Sequence, residues 1–169
     1  MINAALFICW SLAVVIFDCG LRRIPNWLVI AGLACACALA ASGYSPFHTD
    51  LADAGLGLAA GFFALIPFYV LGVMGAADVK VFAVLGAWCG VRALPWLWIA
   101  ASLAAGVYAL WLIASSMTTH NRNTSPQGSQ APLRFVTFVI GGRRTTPYAA
   151  MLALAAIGSF AINAFGVAR

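Results

Sequence analysis

The sequence predicts an all-α integral membrane protein, a polytopic bundle of about six transmembrane helices. Of 169 residues, 64% are hydrophobic and only 8% are charged, where an ordinary soluble domain is about half apolar and about a quarter charged. A chain of this length has too small an interior to hide that much apolar surface, so lipid must cover the remainder. The apolar residues also fall into long runs parted by short polar or basic segments. At this length one domain is expected, a membrane-embedded unit over 1–169 with a cytoplasmic loop at about 116–145.

The first span covers residues 3–17 and ends at Asp18. No basic stretch precedes it; Arg22 and Arg23 follow it, which predicts a retained helix with its N-terminus outside and argues against a cleaved signal peptide. A short basic turn over 19–26 leads to the second span, 27–41. Residues 42–53 hold Gly43, Pro46, His48, Asp50 and Asp53 and read as a polar loop. The third span runs over 54–73, after which residues 75–80 interrupt the apolar pattern. The fourth, 81–91, reaches only roughly 16 Å against a hydrocarbon core of about 30 Å. Either it extends to Val79 and Leu94 while Arg92 snorkels, or it is a half-helix and five full spans remain. The fifth span is 95–115. Residues 116–134, rich in Ser, Thr, Asn, Gln and Pro, read as a solvated loop. Residues 135–140 are apolar but too short to cross, and the sixth span is 146–167.

Charge sets the orientation. With the N-terminus outside, the inner side holds Arg22, Arg23, Lys80, Arg122, Arg134, Arg143 and Arg144, and the outer side holds only Arg92 and Arg169. Seven against two follows the positive-inside bias. The same topology puts Asp18 and Asp78 on one face, the cytoplasmic one. The net charge of +5 is scattered around apolar runs, which orients a chain in a membrane and does not form a nucleic-acid surface. Gly57 and Gly61, like Gly86 and Gly90, are four residues apart, a spacing that lets helices approach closely in lipid.

Few side chains remain for chemistry. There is no Glu, only four Asp (Asp18, Asp50, Asp53 and Asp78), and Lys80 is the sole lysine. Cys9, Cys19, Cys35, Cys37 and Cys89 form no C-x-x-C pair and two His accompany them, which predicts no metal centre and no redox site. In an apolar chain such cysteines are small buried hydrophobes. Asp18 and Asp78 are the informative residues, because a carboxylate at membrane depth costs about 2.5 kcal/mol or more. Each also has a plain structural reading. Asp18 is four residues before Arg22, the spacing of a helical ion pair, and Asp78 is placed to cap the fourth helix.

Taken together, they lie at the inner ends of spans that can be neighbours. Two carboxylates brought close share a proton. One then serves as general base toward water and the other as general acid. Gly72 and Gly75 before Asp78 suit the irregular backbone that lines a watery cavity. A second reading is a small proton- or cation-coupled transporter or relay subunit using the same two Asp. It predicts acids nearer the bilayer middle and internal repeats, and neither is found. A third is a purely structural partner of a secretion machine, which leaves the two Asp unexplained.

The segments Asp18…Arg22-Arg23-Ile24-Pro25-Asn26 and Gly75-Ala76-Ala77-Asp78-Val79-Lys80 together resemble the type IV prepilin peptidases, the GxGD aspartyl proteases. Gly86-Ala87-Trp88 and Pro147-Tyr148-Ala149 add to the likeness. The pattern departs at Ala77, where the family motif has Gly. The resemblance implies that Asp18 and Asp78 are the catalytic pair, and that Arg22, Arg23, Asn26, Gly75 and Lys80 shape the site or bind substrate. It implies no cofactor and no metal. The implied partners are a prepilin or pseudopilin precursor, cut at its short basic leader, and membrane lipid. It places the protein in a bacterial inner membrane with its site facing the cytoplasm. No cysteine-paired insertion is present, so a peptidase without methyltransferase activity is expected. The small size is similar to the form serving Flp, or tight-adherence, pili.

Overall fold

The computed structural model describes residues 2–21, 23–120 and 148–166. Among them are six α-helices: α1 (Ile2–Leu21), α2 (Asn26–Ala41), α3 (Leu51–Val70), α4 (Ala76–Cys89), α5 (Leu94–His120) and α6 (Tyr148–Gly166), with one short 3₁₀ turn, Val91–Ala93, before α5. No strand occurs among the described residues. The fold class is the expected one. By length and composition, Ile2–Leu21, Leu51–Val70 and Val91–Trp111 suffice to cross a membrane, and Asn26–Ala41 and Tyr148–Ile162 are shorter apolar helices.

The helices alternate in direction. At one end, Asn3 at the start of α1 donates to the Tyr44 carbonyl just past α2, and Thr49 before α3 bonds the Trp88 carbonyl near the end of α4. At the other end, Asp18 near the close of α1 bonds Ala150 at the start of α6, and Lys80 near the start of α4 bonds Asn26 at the start of α2.

α4 is the centre of the bundle. It packs against α3, α2 and α6, and every residue from Val81 to Gly90 is buried. That explains its apolar run despite its length of 14 residues, about 21 Å. It starts five residues earlier than the sequence suggested, because Asp78 and Lys80 belong to its first turns instead of to a break. The break is shorter, residues 71–75, and rests on Gly72 at φ +72°, a conformation that costs an L side chain. Gly90, at φ +75°, ends α4.

The α3–α4 contact is backbone on backbone. A Cβ on Gly57 would overlap the carbonyl of Gly86, one on Gly86 would overlap that of Gly57, and one on Gly61 would press on Phe82 and Ala83. The two small-residue spacings noted in the sequence face each other. Around this seam Phe7, Trp10 and Val14 of α1 are buried with Trp88. The Trp10 indole stacks on Trp88 at 6.3 Å, lies over Gly32, and donates to the Leu28 carbonyl at 2.9 Å. That bond satisfies a polar group that is costly to bury alone.

Other boundaries differ from expectation as well. α1 continues past Asp18 to Leu21, α3 begins at Leu51 with Asp50 as its cap, accepting from the Asp53 amide at 2.6 Å, and α5 runs to His120. Residues 116–120 are therefore helical, and only the remainder of the expected loop, with residues 135–140, lies outside the described residues.

Candidate active site

The alternation of helices brings the start of α2, α4 and α6 and the close of α1 to one end. Asp18 sits on the last turn of α1, half-buried, and its Oδ2 accepts the backbone N–H of Ala150 at 2.7 Å. Asp78 is the third residue of α4. Its Oδ2 accepts the Gly75 N–H at 3.2 Å, the reach-back of a helix-start residue, so the capping role read from the sequence exists. The Ala149 amide and the Asp18 carboxylate both lie near enough to Asp78 to act on its charge.

Capping does not explain this convergence. Ala149 and Ala150 are the second and third residues of α6. The first amides of a helix have no carbonyl partner within it, and that end attracts negative charge. Two acids from helices far apart in sequence converge on the first turn of a third, one bonded to its Ala150 amide and the other beside it. Two carboxylates near one another resist ionising together.

The other expected site residues divide into two groups. Gly75 is the residue before α4 and gives its N–H to Asp78. Lys80 donates from Nζ to Asn26 Oδ1 at 2.9 Å, and both are exposed. Arg23 is exposed in the turn between α1 and α2 and is not part of the carboxylate cluster, while Arg22 lies outside the described residues. Ala77 is the second residue of α4, and the positive-φ position among described non-glycine residues is His48. Alanine therefore fits position 77 without backbone strain.

Sequence reasoning missed the amides of Ala149 and Ala150, and the hydroxyl pair of Tyr148 and Ser102, 3.1 Å apart. Pro147 was a signal for the first, since proline favours the start of a helix. Nothing in the sequence marked Ser102. An apolar cavity of about 360 Å³ lies elsewhere, between α3, α4 and α5, lined by Ala64, Phe68, Phe82 and Trp98 among others; none of the expected site residues lines it. Among the described residues no cluster of three or more His, Cys, Asp or Glu is placed to hold a metal.

A family model, the type IV leader peptidase family, matches residues 5–110. That stretch carries both Asp, Asn26, Gly75 and Lys80 and stops before α6. Comparison with curated proteins and with solved structures returns no match.

Proposed function

The chain belongs to the type IV leader peptidase family, and from that premise we propose that it is an aspartic endopeptidase whose catalytic pair is Asp18 and Asp78. The observation that carries this is the convergence of the two carboxylates at the first turn of α6. With one proton between them, the ionised carboxylate takes a proton from water as the water attacks the scissile carbonyl. The protonated one then gives its proton to the departing amine. Protons balance over the cycle, and no covalent intermediate is needed.

The substrates are prepilin-like precursors, cut between a short basic leader and a hydrophobic helix at the cytoplasmic face of an inner membrane. Arg23 and Lys80 stand at the same end as the two acids, in keeping with the positive-inside bias. The activity is peptidase only: α1 and α2 are joined by residues 22–25 alone, with no inserted domain between them. Lys80 and Asn26 shape the site by joining two of the helix starts around it.

The experiment is leader removal from a pilin precursor by the purified protein in detergent. Asp18→Asn and Asp78→Asn are each expected to lower the rate by more than about 100-fold, the scale of losing a general acid or base. Full cleavage by either variant rejects the pair.

A further inference from the structure

Ser102 is a half-buried hydroxyl within the apolar run of α5. Such a group is costly in lipid or core unless bonded, and a helical Ser ordinarily bonds a carbonyl of its own helix. Here its partner is the phenol of Tyr148, 3.1 Å away on α6. Tyr148 is the first residue of α6, two residues before the Ala150 amide that bonds Asp18. It also lies within reach of the Asp78 charge. Helix ends fray, and a misplacement of about 1 Å at a site of this kind is enough to cost a large part of the rate. The first turn of α6 therefore needs an anchor if it is to keep two acids in register.

We infer that Tyr148 is a positioning residue of this site: tied to Ser102, it holds the first turn of α6 so that the Ala150 amide stays on Asp18 and that turn stays beside Asp78. The inference rests on the proposed peptidase reaction for its kinetic consequence, and on the hydroxyl pair alone for its structural one. Tyr148 acts through that turn and does not touch the scissile bond. The size of its effect separates the two roles, since losing a donor to the reacting oxygen costs about 100-fold or more.

The test uses the full chain in detergent, with Tyr148→Phe, Ser102→Ala and the double variant. Each is expected to lower kcat about tenfold with KM within about twofold, the pattern of a lost transition-state arrangement. The double variant is expected to be no worse than either single, because both remove one bond. Ser102→Thr keeps the hydroxyl and restores kcat. Hydrogen exchange of the first turn of α6 is expected to quicken in Tyr148→Phe and Ser102→Ala, a readout that needs no catalysis. Unchanged exchange, unchanged kcat, a loss confined to KM, or losses that multiply in the double variant would each overturn the inference. If the unaltered protein cuts no precursor while exchange still quickens, the proposed reaction fails and the anchor stands. If both Asp variants are dead and the Tyr148 and Ser102 variants are normal, the reaction stands and the anchor fails.

Discussion

The ammonium of Lys80 lies 2.9 Å from the Oδ1 of Asn26, tying the first turns of α4 and α2 together at the end that carries both acids. Both residues are exposed, so the bond contributes about 1 kcal/mol or less to stability. On the proposed reaction its larger effect is on where the first turn of α4, and Asp78 with it, is held. Lys80→Met is expected to lower kcat/KM about tenfold, equivalent to about 1.4 kcal/mol. Thermal unfolding in detergent should stay within a few degrees of the unaltered protein. A collapse of stability with activity per folded molecule intact would contradict this.

On the proposed reaction, a proton shared by Asp18 and Asp78 gives a rate that falls on both sides of an optimum. At low pH both are protonated and no base remains; at high pH both are ionised and no acid remains. The kcat/KM for a precursor, measured across pH, is expected to be bell-shaped. A profile with one limb only would show that one acid suffices.

Ala77 stands where the family motif has Gly, yet its backbone is ordinary helix. Ala77→Gly should therefore leave cleavage unchanged and lower stability by about 0.5–1 kcal/mol, the usual cost of glycine in a helix. A gain in rate would mean that the motif glycine serves the reaction.

Gly57→Ala puts a methyl group into the carbonyl of Gly86, where no flexible side chain can yield. The expected loss is about 3 kcal/mol, the upper part of the range for overpacking. Gly106→Ala is the control: open space surrounds a Cβ there, and removing a helical glycine should stabilise by up to about 1 kcal/mol. Unfolding midpoints that ranked the two variants the other way would refute the tight seam.

Hydropathy made the bundle legible, because a carboxyl- and lysine-poor chain leaves few ways to part its apolar runs. That Asp18 and Asp78 stand at one end of the bundle was legible too, from the alternation of spans and the count of basic residues on alternate loops. The start of α4 was not. Asp78 and Lys80 look like an interruption to a hydropathy reading, but on a helix whose first turn opens toward a polar site they are tolerated. The central place of α4 was hidden for a related reason: its short length suggested a weak span, while its glycines and its fully buried middle make it the core. The amides of Ala149 and Ala150 carry no side-chain signature, since alanines spell only helix. The Ser102–Tyr148 bond joins residues 46 apart, a separation at which no local pattern informs.

The Gly57–Gly86 seam has a mechanical consequence. Two helices locked main chain to main chain move as one body, so Asp78 rides on a stiff support. Asp18 comes to it from α1, and the start of α6 from a third helix whose Ala149, Leu152, Ala153 and Ala156 are fully buried. Any displacement of α1 or α6 against that body therefore changes how Asp18 stands to Asp78.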